Sequence, residues 1–140
     1  ATLPQNTTKV VYIDANSEAM RQATQGIKAE VVALDRKKLK RYNVYPTRTD
    51  FIFDSVSFHF SQPQPKDLAI QLLMLESLVG YLKLPLRTDF HDMPVPPGRS
   101  SFFRGKKGIN IIDSSYNAHI ISVASVLEMA RNLHAGHKPS

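Results

Sequence analysis

The sequence predicts an α/β chain, and three features carry that prediction. Two apolar runs, Lys9–Ile13 (KVVYI) and Glu30–Leu34 (EVVAL), flank a short segment with helix-capping residues at its start. A Phe-rich stretch around residue 55 alternates with period two, and Lys66–Leu82 follows with apolar residues at helical spacing. Strand, short helix and strand in succession make a βαβ unit, the repeating element of α/β folds.

In KVVYI, β-branched and aromatic residues follow one another as they do in a buried strand. Asn16 and Ser17 offer cap oxygens to a helix over Glu18–Ala23. Gly26 stands where a left-handed residue ends a helix. EVVAL repeats the buried-strand pattern. Phe51, Phe53, Val56, Phe58 and Phe60 alternate with Ile52, Asp54, Ser57 and His59, with one slip near Ser55. This predicts a hairpin turning at Asp54-Ser55 and closed by Pro63 and Pro65. Leu68, Leu72, Leu75, Val79 and Leu82 then form one helical face, read as core. Between Pro85 and Gly98 lie Pro94, Pro96 and Pro97 with few apolar anchors, so residues 85–99 are expected to be a stiff interdomain linker. Beyond it, Ser100–Arg104 and Ile109–Ile112 are predicted strands joined across Gly105-Lys106-Lys107-Gly108. A polar turn, Asp113–Asn117, leads into a second amphipathic helix. Its expected stripe is Ile120, Val123, Ala124, Leu127 and Ala130, and its expected end is near Gly136. No internal repeat is present.

Composition sets limits on function. An apolar share of 42%, with seven Phe and five Tyr, suffices for a core and argues against disorder along the whole length. The lack of cysteine excludes disulfides, thiolate metal sites and cysteine nucleophiles, and fits the cytoplasm as the expected location. No apolar run reaches the ~18–20 residues that a membrane span needs. Ala1 to Thr8 lacks the basic-then-apolar order of a signal peptide, and the missing initiator Met suggests a processed or excised chain. A net charge of +6 permits polyanions, anionic lipid or phosphorylated small molecules as partners. Arg36, Lys37, Lys38, Lys40 and Arg41 form one basic cluster, read as a solvated face; Arg99, Arg104, Lys106 and Lys107 form another. No RNP pattern, zinc finger or basic zipper accompanies them, so nucleic acid is not the expected partner.

Most polar residues have plain readings. His59, His91, His119, His134 and His137 show no zincin-type pairing and read as surface or helix-terminal groups. Asp89 and Asp92, around His91, read as a solvated loop. Asp14, after the first strand, suits a ligand contact or a turn equally.

Two patterns stand out. The first is Pro97-Gly98-Arg99 at the end of the proline-rich stretch. The second is Ile111-Ile112-Asp113-Ser114-Ser115-Tyr116-Asn117-Ala118, a strand running into a polar turn and then a helix. Such a turn gathers Asp, Ser and Asn side chains with helix N-terminal amides at the carboxyl end of a strand, where α/β folds bind phosphorylated ligands. An arginine reaching that place can pair bidentately with phosphate oxygens. Asn117 suits a helix cap and a nucleotide contact equally, and the two roles are compatible.

Gly98-Arg99, a fourteen-residue step and then the DSSYNA turn resemble the junction between the central and C-terminal domains of Mur ligases. The branch that adds D-alanyl-D-alanine to UDP-N-acetylmuramoyl-tripeptide resembles it most, since its members commonly carry a D-S-Y-N-A-N turn. The resemblance implies three parts: the second half of a P-loop-type central ATPase domain (1–84), a linker (85–99), and the start of a Rossmann-like C-terminal domain (100–140). It implies an ATP- and Mg²⁺-dependent reaction in which a carboxylate of the UDP-linked muramoyl substrate becomes an acyl phosphate and is attacked by an amine. Arg99, Asp113, Ser114, Tyr116 and Asn117 would contact ATP, and closure of the C-terminal domain would complete the site.

Gln71 falls on the second Asn of the family's H-N-x-x-N helix and would offer an amide to adenine, while Asp67 and Leu68 replace that motif's His and first Asn. Ser114 occupies the usual acidic position, with Asp113 one place earlier, and His119 stands where Asn is common. No G-x-x-G-K-[ST] loop occurs in the 140 residues, so no catalytic residue is expected in this chain alone. Mg²⁺ and the rest of the substrate are expected to bind mainly to other parts of the ligase. The contrasting reading is a small basic α/β module that binds nucleic acid or another polyanion, resting on the net charge and the Arg36–Arg41 cluster. An incomplete sheet is also expected to expose strand edges and to self-associate unless a partner fragment covers them.

Overall fold

The computed structural model describes residues 8–135. The expected helix end near Gly136, and His137, lie outside the described residues, as do the side chains of Asn117 and His134. The chain divides into two compact units, Ala1–Lys38 with Ala69–Leu86, and Leu39–Leu68 with Arg87–Ser140.

In the first unit, β1 (Val10–Asp14) and β2 (Glu30–Leu34) pair in parallel, with Val10 opposite Glu30 and Asp14 opposite Leu34. The helix α1 (Glu18–Ala23) connects them, giving the predicted βαβ unit. Ser17 caps α1, its Oγ accepting from the Met20 N–H at 3.3 Å. Burial corrects the reading of EVVAL. Leu34 is buried, but Val31 is 39% exposed. Among the described residues this sheet has two strands, so β2 has an open edge and lacks the cover that parallel strands usually have.

Asp14 takes the turn role and adds an ion pair. One carboxylate oxygen accepts from the Asn16 N–H at 3.0 Å, and the other meets the Arg36 guanidinium at 2.8 Å. Burial pushes this carboxyl up, but the Asn16 bond and Arg36 outweigh it and hold it below the ordinary value. Within the first basic cluster, then, Arg36 already has a carboxylate partner.

The helix α2 (Leu68–Tyr81) buries Ala69, Ile70, Leu72 and Leu73. The Tyr12 hydroxyl donates to the Ser77 carbonyl at 3.2 Å, tying β1 to α2. Leu82, the last member of the expected stripe, is instead 52% exposed. The helix closes just before it. Lys83 N–H donates to Gly80 O and Leu84 N–H to Val79 O, at 3.1 and 3.0 Å, with Lys83 left-handed at φ +53°. That is a Schellman closure, and it places Leu82 in the cap.

The second unit is built on a four-stranded sheet in the order β3 (Leu39–Tyr45), β4 (Arg48–Phe53), β5 (Ser57–Phe60), β6 (Asp89–Phe90). The predicted hairpin is β4–β5, with Phe51 opposite Phe58. Its aromatic face is continuous. Tyr42 and Phe51 lie 5.2 Å apart, and Phe53 meets Phe58 edge-on at 6.0 Å. Phe90 stacks on Phe60 at 5.1 Å and on Phe58 at 6.3 Å. Asp89–Phe90 pairs in parallel with β5, so the proline-rich stretch supplies a strand as well as a connection. β3 was not foreseen either, because its basic start hides an alternation in which Val44 is buried while Arg41 and Tyr45 are exposed. It is an edge strand, and Lys40 and Arg41 discourage further pairing along it.

β7 (Ser101–Arg104) and β8 (Asn110–Asp113) form the predicted antiparallel pair, Ser101 opposite Asp113. After a 3-10 turn at Ser115–Asn117 comes α3 (Ile120–Ala135). Here the expected buried face is wrong. Ile120 and Leu127 are 88% and 65% exposed, while Met129 and Leu133 are buried and pack with Val44, Tyr42, Phe102 and Ile112. The helix is apolar on both sides, so periodicity alone does not select the inward face. No helix among the described residues is long and apolar enough to cross a membrane.

Candidate functional site

The end of the proline-rich stretch and the turn after β8 come together. Gly98 is left-handed at φ +74° and Ser100 at φ +56°. Ser100 pays the steric penalty that an L residue meets in this region, a form of strain found often at ligand sites. Tyr116 N–H donates to the Gly98 carbonyl at 3.1 Å. A Cβ on Gly98 would lie 3.1 Å from that same nitrogen and 3.2 Å from Ser115 Oγ, so only glycine permits the approach. The Arg99 guanidinium then sits over the Tyr116 ring, 4.4 Å from its centroid.

A cavity of about 340 Å³ opens beside this contact, lined by Gln64, Pro65, Gly98, Arg99, Ser100, Ser114, Tyr116 and Ser122. That volume is in the lower range of small-molecule sites. Its walls come from three parts of the second unit: the β5–α2 connection, the 98–100 segment, and the 114–122 region. Of the residues singled out in the sequence, Arg99, Ser114 and Tyr116 line it. Asp113 is not among the lining residues; its carboxylate accepts from the Ser115 N–H at 3.0 Å. Bonds from the Ser115 side chain and backbone keep the Asp113 carboxyl below its ordinary value, and hence ionised at neutral pH. The side chain of Asn117 lies outside the described residues. The cap position of α3 belongs to His119, whose carbonyl accepts from the Val123 N–H at 3.0 Å and from Ser122 Oγ at 2.8 Å. Gln71 is exposed on α2 in the first unit and does not line the cavity.

Gln64, Pro65, Ser100 and Ser122 are lining residues that sequence reasoning missed. Gln64 is held firmly. Its N–H donates to Thr49 Oγ1 at 2.9 Å, and its carbonyl accepts from the Tyr42 hydroxyl at 2.5 Å. Thr49 is fully buried and donates to the Gln62 carbonyl at 2.8 Å. One buried threonine thus anchors a whole wall. Burial, with Glu128 and Asp67 nearby, raises the Tyr42 phenol well above its ordinary value, so it stays a donor. No local sequence signal links residue 64 to residues 98–116.

A second polar group lies on the β4–β5 strands. Asp50 is buried, and its carboxylate meets Arg48 at 2.7 Å and His59 Nδ1 at 2.7 Å. Asp50 and His59 are cross-strand partners, so the sheet register creates the contact. Burial pushes this carboxyl up, but bonds and charge from Arg48 and His59 win and lower it. With its folded value below the unfolded one of ~3.9, Asp50 stabilises the protein above that pH. The contribution is lost as pH falls through the folded value. Urea midpoints of the parent and Asp50→Asn are therefore expected to converge as pH drops from about 5 towards 3. A gap of constant size across that range would contradict this. Among the described residues, no three His, Asp or Glu side chains converge as a metal cage.

No family model and no curated protein matches the sequence. Among solved structures the chain is similar to the MurF ligase of Thermotoga maritima, determined in complex with ADP. The TM-score is 0.70 at 19% identity, over 89% of this chain and 31% of the ligase. The chain thus spans about a third of that ligase's length. At this identity the likeness is one of fold, and the chain has the mixed α/β fold of a portion of a Mur ligase.

Proposed function

We propose that this chain is part of an ATP-dependent, amide-bond-forming ligase of peptidoglycan precursor synthesis, working in the cytoplasm. Its branch is the one that joins D-alanyl-D-alanine to a UDP-linked muramoyl peptide. The observation that carries the reading is the meeting of Arg99 with the Ser114–Tyr116 turn around a cavity. Those are the two motifs on which the family resemblance rests, and the fold likeness to an ADP-bound ligase supports it.

In the intact ligase, ATP transfers its γ-phosphoryl group to a substrate carboxylate. The amine nitrogen then attacks the acyl carbon to give a tetrahedral intermediate, which expels phosphate while the nitrogen gives up a proton, leaving the amide. This chain's share is nucleotide binding. Arg99 offsets phosphate charge, and Asp113, ionised and anchored by Ser115, accepts from ribose hydroxyls. Ser114, Tyr116 and Asn117 complete the turn, and Gln71 offers an amide to adenine. Mg²⁺ would neutralise phosphate charge and would be held mainly by other parts of the enzyme.

Calorimetric titration of the 140-residue chain with ADP tests the reading. Binding is expected, and Arg99→Ala is expected to weaken it about tenfold or more, since hydrogen bonds to charged groups contribute ~1.5–3 kcal/mol. Absence of binding at millimolar ADP, or equal affinity of the variant, would sink it.

A further inference from the structure

We infer that Tyr116 is the positioning residue for Arg99, holding the guanidinium plane so that its edge is presented to the phosphate of a bound nucleoside diphosphate. This rests on the ligase reading above and deepens it. Arg99 is exposed, and a free arginine at such a site would lose much rotamer entropy on binding. Three features reduce that freedom beforehand. The hydrogen bond from Tyr116 N–H to the Gly98 carbonyl, at 3.1 Å, sets the backbone separation. Glycine at φ +74° permits this approach. The aromatic ring, its centroid 4.4 Å from the guanidinium carbon, then favours one placement of the side chain.

The chemistry of arginine makes the stack compatible with ligand binding. A cation–π contact uses the face of the guanidinium, whereas bidentate pairing with phosphate uses the N–H groups along its edge. The ring therefore does not compete with the phosphate for donors. Ser114 and Ser100 line the same cavity as Arg99, so the cavity that would receive the anion has polar residues in its wall. Lysine cannot reproduce the arrangement, having neither a plane to stack nor a fork to present.

The test compares Tyr116→Phe, Tyr116→Ala and Arg99→Lys in the 140-residue chain. Calorimetry with ADP measures affinity, and the ¹H–¹⁵N signal of the Arg99 Nε–H reports the stack in the free protein. We expect Tyr116→Ala to lose about two- to fivefold in ADP affinity, the range of exposed cation–π contacts, and Tyr116→Phe, which keeps the ring, to lose less than Tyr116→Ala. The Arg99 Nε–H should show a ring-current shift in the parent and the Phe variant, lost with Ala. Arg99→Lys should lose at least as much affinity as Tyr116→Ala.

Retained ADP affinity in Tyr116→Ala, with the parent binding normally, overturns the inference and leaves the ligase reading standing. Equal loss of affinity in the Phe and Ala variants also overturns it, since it would assign the effect to the hydroxyl. Failure of the parent itself to bind ADP overturns the ligase reading, and this inference with it. Circular dichroism of each variant separates these outcomes from misfolding.

Discussion

Phe58→Ala is expected to destabilise the second unit by about 3–5 kcal/mol, the cost of removing a fully buried aromatic side chain. Phe58 has no exposed surface. It lies opposite Phe51 in the β4–β5 register and touches Phe53 edge-on and Phe90 face-on. Truncation leaves a cavity between two strands and a ring from a third, and a backbone fixed by hydrogen bonds on both sides cannot collapse into it. A loss of that size is a large share of the ~5–15 kcal/mol by which single domains are stable. Urea denaturation followed by circular dichroism and tyrosine fluorescence should show the midpoint falling steeply. A change below about 1 kcal/mol would mean that the aromatic face is not the core of this unit.

Gly98→Val should be the most damaging single change at the candidate site. At φ +74° a β-branched residue is a strong conformational outlier, and left-handed backbone costs an L residue ~1–2 kcal/mol before any clash. The clash is with backbone, since the added Cβ would meet Tyr116 N at 3.1 Å and Tyr116 Cβ at 3.2 Å. Relief requires the 98–100 segment to part from the turn, which breaks the Tyr116–Gly98 hydrogen bond and lifts Arg99 from its ring. Stability is expected to fall by roughly 2–3 kcal/mol, with a loss of ADP affinity at least as large as that of Arg99→Ala. Ser100→Gly, at φ +56°, should go the other way and stabilise by about 0.5–1 kcal/mol. Equal stability of Gly98→Val and the parent would show that the close approach contributes nothing.

The two cavity motifs were legible for a chemical reason. A strand running into Asp-Ser-Ser-Tyr-Asn carries its own turn chemistry, and the Ser115 N–H bond to Asp113 is a local Asx turn of the kind that composition predicts. Gly98 before Arg99 was equally local, a residue suited to a left-handed turn. Gln64 was not legible, because its place depends on Thr49 and Tyr42, which are distant in sequence. Nor was the Arg48–Asp50–His59 group. His59 read as a surface histidine, and only the pairing of β4 with β5 sets it against a buried carboxylate.

From the amino-acid order alone follow the parallel βαβ unit, the Phe-rich hairpin, the long helix, the final strand pair and the turn that faces Arg99. Each is written in a period of two, a period near 3.6, or a cap or turn residue, and such signals act over a few neighbouring positions. The tertiary structure decided which face of α3 turns inward, that β3 and Asp89–Phe90 join the sheet, and that Gln64 and Pro65 complete the cavity wall. Those outcomes depend on competition between apolar surfaces far apart in the chain. Met129 and Leu133 are buried in place of Ile120 and Leu127 because Val44 and Phe102 are there to receive them, and no local pattern records where a distant partner will be.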